Sequence, residues 1–179
     1  PPLFESLDIF GTSSPLLLVR IEEIRKWEIS EGLQAGCTLF IPFQDPENVG
    51  AVIRSAVAFG VSRIILLAQA ANPYHPKAIR ASGGLVFRAE LLEGPSINDL
   101  PDNLPIIPLS KEGEKISSFL FPSSFGLLPG IEGPGLPERL RNRGIAIPIH
   151  SEVESLNAVA ATSIALFAWA ESQGGNAAQ

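Results

Sequence analysis

The chain has 179 residues, a formal net charge of −6, 45% apolar residues and a mean hydropathy of +0.23. These values indicate one globular domain with a sizeable core and argue against a disordered chain. One cysteine and two histidines exclude an internal disulfide and disfavour a His/Cys zinc site, so we expect no metal. No apolar run reaches the roughly 18 residues of a membrane span and no leader pattern stands at the start, which predicts a cytoplasmic protein.

The negative charge is concentrated at the amino-terminal end. Residues 1–47 contain three basic and eight acidic residues, whereas residues 48–89 contain five basic residues and no acidic one. This stretch and a second small cluster, Arg139, Arg141 and Arg143, are therefore able to meet phosphate. The alternative is that these cations are scattered and merely solvated.

Residues 1–36 are predicted to be an extension and not a full domain. Pro1–Pro15 has the composition of an extended lead-in. We expect a short strand at Leu16–Val19 and one or two helical turns at Ile21–Trp27. Residues 37–179 then form the main domain.

A clear pattern begins with a strand, a helix and a second strand. Cys37–Phe43 is a continuous apolar run, which is typical of a strand buried on both faces. Asp45 and Pro46 follow as an N-cap and a first helical residue, and Glu47–Phe59 has helical spacing. Ile64–Leu67 is the next buried strand, so the unit predicts a parallel sheet.

The remaining segments continue this alternation. In chain order we predict a helix at His75–Ser82, a strand at Leu85–Leu92, a single turn at Ile97–Leu100, a strand at Ile106–Leu109, an outer polar helix at Ser110–Phe119, a strand at Ser124–Leu128, a short helix at Pro137–Arg143, a strand at Gly144–Ile149 and an apolar helix over Ser155–Ala170. The last helix is apolar on all sides, so we expect it to be buried on most sides. The fold class is therefore α/β, a parallel sheet flanked by helices on both faces.

The first constellation with chemical potential is Asn48-x-Gly50-x-x-x-Arg54. Glycine inside a helix costs about 1 kcal/mol relative to alanine, and close approach of another backbone is the usual reason for it. The Arg54 guanidinium, between apolar neighbours, needs an anion or a carbonyl partner. The alternative is a structural ion pair with Glu47 or Glu132.

Two further constellations follow predicted strands. The glycines of residues 130–135 allow a ligand to approach the backbone, although a glycine turn with a structural Glu132 is equally compatible. Ile147–Ile149 together with Ser155–Asn157 suits a flat, partly apolar ligand such as adenine at the carboxyl end of a sheet. Here the alternative is that Ser155 is only a helix N-cap.

Taken together, these segments resemble one family. ENVGAVIRSAVAFGVSRIILL is similar to the first motif of the SpoU (TrmH-like) RNA ribose 2′-O-methyltransferases of the SPOUT superfamily. LLPGIEGPGLP is similar to the second motif and IPIHSEVESLNAVAA to the third, with HPKAIRASGG also family-like between them. The resemblance runs from about Cys37 to the end of the chain, with the motifs in order.

The resemblance implies a fold and an activity. Such proteins form a parallel α/β domain whose carboxyl-terminal segment makes a deep trefoil knot, an exception to the rule that chains are unknotted. They bind S-adenosylmethionine in the knotted loops and methylate the ribose 2′-hydroxyl of tRNA or rRNA. They are usually homodimers whose active site is completed across the interface.

The resemblance also assigns roles to individual residues. The catalytic and signature polar positions are Asn48, Arg54, Glu132, Ser155 and Asn157. The cofactor would be held around Leu128, Gly130, Ile147, Ile149 and Leu156. RNA would be contacted by Arg54 and by the cations Lys77 and Arg80.

One segment departs from the family pattern. His150-Ser151-Glu152 occupies a loop that is usually rich in glycine, and Glu152 is a candidate to crowd the cofactor or repel phosphate. The departure motivates a second hypothesis, a relative that binds RNA or cofactor without turnover. A third hypothesis is an unrelated nucleotide-binding α/β protein.

Overall fold

A computed structural model describes residues 2–131, 133, 135–141 and 143–174. Within these residues the chain forms one sheet of six strands, every pair of which is parallel. The strands are β1 (Gly36–Ile41), β2 (Arg63–Leu66), β3 (Leu91–Glu93), β4 (Ile106–Lys115), β5 (Ser124–Leu128) and β6 (Ile145–Ala146). Their order across the sheet is β3-β2-β1-β5-β4-β6, so β1 and β5 lie at its centre.

Helices and single turns connect the strands. The α-helices are α1 (Pro2–Leu7), α2 (Pro46–Ala58), α3 (Pro76–Ser82), α4 (Glu138–Arg141) and α5 (Ala158–Ser172), and 3₁₀ turns lie at Ile29–Glu31, Leu85–Phe87, Ile97–Asp99 and Ile116–Ser118. None of the helices in the described part of the chain is long and apolar enough to cross a membrane.

The core has one layer on each face of the sheet. Leu39 belongs to the layer that contains the buried side chains of α2 and α5, including Trp169 beside Phe125. The next residue, Phe40, belongs to the opposite layer, where the Trp27 and Phe40 rings pack edge to face with their centroids 5.6 Å apart. This alternation follows from the two-residue period of a strand, and it confirms a parallel α/β sheet buried on both faces.

The first strand-helix-strand unit is confirmed. The Asp45 carboxylate accepts a hydrogen bond from the Glu47 N–H at 2.8 Å, and Pro46 is the first residue of α2. Gly50 is buried where α2 crosses α3. A Cβ added to Gly50 would meet the Ala78 carbonyl oxygen and lie 2.8 Å from the Ala78 Cα. Close backbone approach is therefore the reason for glycine at this position.

The strand predicted at Leu85–Leu92 is wrong over most of its length. Gly83 and Gly84 both have positive φ and end α3, after which the chain forms the turn Leu85–Phe87. The apolar residues that suggested a strand fill the core from this turn, since Val86 is buried. Only Leu91–Glu93 pairs, with β2.

The outer helix predicted at Ser110–Phe119 is also wrong. β4 continues to Lys115 and pairs there with β6, so that Glu114 lies opposite Ile145. A Cβ on Gly113 would lie 2.6 Å from the Gly144 carbonyl carbon, so glycine is what lets the two backbones approach. The Lys and Glu residues favour a helix locally, but this tertiary pairing overrides their propensity.

Several predictions at the ends of the chain need correction. The lead-in at Pro1–Pro15, predicted to be extended, contains helix α1. Residues 11–25 contain neither the predicted strand at Leu16–Val19 nor the turns at Ile21–Trp27, and a single parallel bridge joins Lys26 to Glu93. The strand at Gly144–Ile149 is only Ile145–Ala146, followed by an irregular segment. Helix α5 is buried on one side only in a single chain, because Ile164 and Phe167 remain 40% and 52% exposed.

The segment after Lys26 is fixed to the sheet by charge. Glu31 forms ion pairs with Arg25 at 2.6 Å and with the buried Arg63 at 3.8 Å, and Arg63 also pairs with Glu90. The hydrogen bond from Arg25 is the main cause that lowers the pKa of Glu31 to about 2. Trp27 is thereby held over Phe40 as part of the core.

We predict that Gly50→Ala destabilises the protein. The new methyl group must push α2 away from the Ala78 backbone, and overpacking of this kind costs about 1–3 kcal/mol, more than the gain in helix propensity. Urea unfolding followed by circular dichroism measures the free energy of unfolding. Ala58→Ser, at an exposed position of the same helix, is the control and should change stability by less than about 0.5 kcal/mol. An equal effect of both variants would show that the α2–α3 crossing tolerates a side chain.

Candidate functional site

A cleft of about 640 Å³ opens at the carboxyl ends of β5 and β6 and along the second half of β4. Its volume falls within the roughly 300–1,000 Å³ that is usual for small-molecule and cofactor sites. The described residues that line it are Leu109–Glu112, Pro129–Ile131, Gly133, Gly135, Leu136, Arg141, Ile145, Ile147, Ile149, Glu154–Leu156, Ala158 and Ala161. Ligands of parallel α/β sheets usually bind at this edge.

The glycine loop after β5 forms one wall of the cleft. The backbones of Ile131 and Gly135 exchange hydrogen bonds of 3.1 Å and 2.8 Å, which closes the loop on itself. A Cβ on Gly130 would lie 3.2 Å from the Gly135 Cα, so a side chain there would press against the closed loop. Glu132, predicted as a functional position, lies outside the described residues.

The segment between β6 and α5 forms the apolar wall. Ile147, Ile149 and Leu156 all line the cleft, as does Ser155. The N-cap of α5 is Asn157, whose Oδ1 accepts hydrogen bonds from the N–H groups of residues 159 and 160 at 2.9 Å and 3.2 Å. The alternative that Ser155 is only an N-cap is therefore wrong, since Asn157 caps the helix and Ser155 faces the cleft.

Leu128 occupies a different place from the other predicted cofactor residues. It is the last residue of β5 and is fully buried in the layer that contains Trp27 and Phe40. Leu128 thus lies in the core and not among the residues that line the cleft. It supports the glycine loop from within the sheet.

The cleft is also lined by a set of polar residues that we call the polar wall: Ser110, Lys111, Glu112, Arg141 and Glu154. Sequence analysis noted Arg141 only as part of a basic cluster able to meet phosphate, and it gave the other four no place in the cofactor site, although Glu154 stands next to Ser155 in the third motif. The Ser110 hydroxyl donates a hydrogen bond to the Arg141 carbonyl oxygen, which joins β4 to the end of α4. Ser110, Lys111 and Glu112 were missed because residues 110–119 were predicted as an external helix. Gly113 was the available signal, since glycine within such a helix requires a special reason.

Asn48 and Arg54 are not among the described residues that line the cleft. Asn48 is half-buried in the first turn of α2, and Arg54 is exposed farther along the same helix. The structure of one chain therefore brings together the second and third constellations, but it leaves the first outside.

The two cations predicted to contact RNA lie on α3. The Lys77 Nζ is 3.5 Å from a Glu47 carboxylate oxygen, next to the beginning of α2. The Arg80 guanidinium lies 4.6 Å from the centre of the Phe10 ring, a cation–π contact with the amino-terminal extension. Each cation thus has an intramolecular partner at the surface.

The departure from the family pattern at His150–Glu152 does not narrow the cleft. The Val153 N–H donates to the His150 carbonyl oxygen at 3.0 Å, which forms a compact turn. The Glu152 side chain is 87% exposed, and neither it nor His150 is among the described residues that line the cleft. The expectation that Glu152 crowds the pocket is therefore wrong.

Comparison with known proteins gives a consistent result. The profile of the SpoU rRNA Methylase family matches residues 39–167. Over 172 residues the chain is 59% identical to Ribosomal RNA small subunit methyltransferase G 2 of Syntrophobacter fumaroxidans, covering 96% of this chain and 34% of that protein. Over 136 residues it is 31% identical to the 23S rRNA (uridine(2479)-2′-O)-methyltransferase of Streptomyces viridochromogenes, covering 68% of this chain and 47% of that protein. The chain thus spans between a third and a half of these relatives.

A solved structure shows the same architecture. The AdoMet-bound rRNA methyltransferase from Sinorhizobium meliloti superposes with a TM-score of 0.70 at 26% sequence identity. The match covers 82% of this chain and 61% of that chain.

Proposed function

The chain belongs to the SpoU rRNA Methylase family, and we propose that it transfers a methyl group from S-adenosylmethionine to a ribose 2′-hydroxyl of ribosomal or transfer RNA. The observation that carries the proposal is the meeting of two separate family motifs in one cleft. The glycine loop after β5 and the segment before α5 are ten or more residues apart in the chain, yet they form its opposing walls. RNA is favoured over DNA because only RNA offers a 2′-hydroxyl.

The cleft fits the proposed cofactor. Gly130, Ile147, Ile149 and Leu156 present backbone groups and aliphatic side chains, which suit the faces and the edge of an adenine ring. S-adenosylmethionine would supply a methyl group activated by a positively charged sulfur. Leu128 would keep the glycine loop in position from within the core.

Arg54 is proposed to act on the RNA. A 2′-hydroxyl must lose its proton as it attacks, and negative charge develops on its oxygen. Arginine stays protonated in proteins, so it serves poorly as a base. Its guanidinium would hold the neighbouring phosphate and stabilise the developing charge, while Asn48 would hydrogen-bond the substrate or Arg54.

The position of Arg54 supports a homodimer in which the active site is shared. The Ser163 hydroxyl of α5 donates to the Ser55 hydroxyl of α2 at 2.8 Å, so Arg54 is adjacent to the contact between the two helices. The stripe Ala160, Ile164 and Phe167 of α5 is exposed in a single chain. Association through this apolar stripe would bring Arg54 to the edge of the interface, from which it can reach the partner's cleft.

Lys77 and Arg80 are proposed to bind RNA phosphates. The two residues are three positions apart on α3, and the ion pair with Glu47 places Lys77 near the first turn of α2. Phosphate would replace their present surface partners, Glu47 and Phe10. Exposed ion pairs are weak, so little free energy opposes this exchange.

The carboxyl-terminal segment is proposed to form the trefoil knot of the family. Support comes from the tight passage of residue 144 along β4. A Cβ on Gly144 would meet the Pro108 carbonyl oxygen and lie 2.8 Å from the Pro108 Cδ. The segment that follows residue 144 forms the apolar wall of the cleft and then leads into α5.

We predict that Arg54→Ala lowers methyl transfer by about 100-fold or more, because one stabilising donor at a developing oxyanion contributes about this factor. Tritiated methyl incorporation from S-adenosylmethionine is measured with unmodified rRNA and tRNA transcripts. Resistance of the product linkage to alkali identifies a 2′-O-methyl group. Arg20→Ala, an exposed arginine of the acidic extension, is the control and keeps full activity.

Two outcomes would contradict this proposal. Equal incorporation by wild type and Arg54→Ala would remove Arg54 from its role. Calorimetric binding of NAD without binding of S-adenosylhomocysteine would instead favour an unrelated nucleotide-binding protein.

We also predict that the double variant Ile164→Asp/Phe167→Asp is a monomer while the wild type is a dimer. Two carboxylates in the apolar stripe of α5 would have to be buried unpaired in the interface. Light scattering after size-exclusion chromatography measures the mass at micromolar concentration. The control is Leu18→Asp, since Leu18 is 99% exposed and belongs to the amino-terminal extension, outside the apolar stripe. A monomeric wild type would refute the shared active site.

A further inference from the structure

Apart from Glu154, which lies in the third motif, the polar wall is outside the family motifs, and its chemistry is unusual for a cleft with aliphatic walls. It contains two cations, Lys111 and Arg141, and two carboxylates, Glu112 and Glu154. We propose that Lys111 and Arg141, which line the same cleft, bind the carboxylate at the amino-acid end of S-adenosylmethionine. The inference rests on the proposed function and deepens it, by assigning a subsite for one end of the cofactor.

The fold joins the backbones that carry the two cations, and both residues line the same cleft. Ser110 and Lys111 lie on the part of β4 that extends toward β6, and Arg141 ends α4. The hydrogen bond from the Ser110 hydroxyl to the Arg141 carbonyl oxygen joins these two elements directly. The Glu112 N–H donates back to the Ser110 hydroxyl at 3.3 Å, which fixes the course of β4 at this point.

Arg141 is oriented for a further ligand. Its Nε donates to the Leu136 carbonyl oxygen at 2.9 Å, which ties the guanidinium to the end of the glycine loop. The two terminal nitrogens of Arg141 form no hydrogen bond or ion pair with another described residue. A guanidinium held at Nε presents those nitrogens as a preorganised donor pair, which suits a carboxylate.

Lys111 adds a second positive charge to the lining of the cleft. Its side chain is exposed, it lines the cleft, and it forms no ion pair with another described residue. A flexible ammonium group adapts to an anion that the less mobile Arg141 has oriented. The two carboxylates of the polar wall offset the added charge and offer acceptors to the ammonium group beside the ligand's carboxylate.

The division of the cleft fixes the orientation of the ligand. Ile131, Ile147 and Leu156 form an aliphatic region that suits the adenine ring. The polar wall then receives the amino-acid end, which is the zwitterionic part of the molecule. RNA phosphates are the other anions that Lys111 and Arg141 could bind. If the two cations bind RNA phosphates instead, removing either one leaves the affinity for S-adenosylhomocysteine unchanged.

The test compares two ligands that differ only at the amino-acid end. S-adenosylhomocysteine has the ammonium and carboxylate groups, whereas 5′-methylthioadenosine keeps the adenosine and the thioether but lacks both. Isothermal titration calorimetry gives the dissociation constant of each for the wild type, Lys111→Ala and Arg141→Ala. Lys115→Ala is the matched control, because Lys115 is an exposed lysine of the same strand that does not line the cleft.

We expect each cleft variant to weaken S-adenosylhomocysteine binding by at least 5-fold and 5′-methylthioadenosine binding by less than 2-fold. Retained binding of 5′-methylthioadenosine also shows that the variant is folded. Lys115→Ala should change neither constant. Unchanged S-adenosylhomocysteine affinity in both variants, or equal losses for both ligands, would overturn the inference. A wild type that binds neither ligand would instead refute the proposed function.

Discussion

The close passage of the chain at residue 144 along β4 is the constraint on which the cleft depends. Gly144 and Gly113 each occupy a position where a Cβ would collide with the facing backbone, at Pro108 and at Gly144 respectively. Because the two backbones approach without side chains between them, β6 is held at the edge of the sheet against the far part of β4. The segment that follows must then turn across the carboxyl end of β5. The walls of the cleft are thus set by backbone contacts that exist before any ligand binds.

Local signals explain which elements were predictable. β1 and β5 are short apolar runs, and α2 begins with an Asp-Pro cap, so each is specified by adjacent residues. The far part of β4 is different, because Ile145, the partner of Glu114, lies 31 residues later in the chain and the lysines and glutamates of this part favour a helix. Local propensity therefore led to the wrong element, and the topology decided the outcome.

The same distinction applies to the site. Gly130, Ile147 and Leu156 were predicted to share a site because each is within a motif, and the structure places all three on one cleft. The polar wall could not be predicted as a unit from the sequence. Lys111 and Arg141 line one cleft only because the fold joins β4 to α4 through Ser110. Arg54 shows a further limit of sequence reasoning, because its spacing from Asn48 did not reveal that both residues lie outside the lining of the cleft in their own chain.

The two tryptophans of the sequence lie in different layers of the core, and this gives the protein two internal fluorescent probes. Trp27 reports on the face of the sheet that contains Leu128 and thus on the support of the glycine loop. Trp169 reports on the opposite face, where α5 packs over Phe125. Versions that keep one indole at a time can therefore reveal whether the two halves of the core loosen together or in succession.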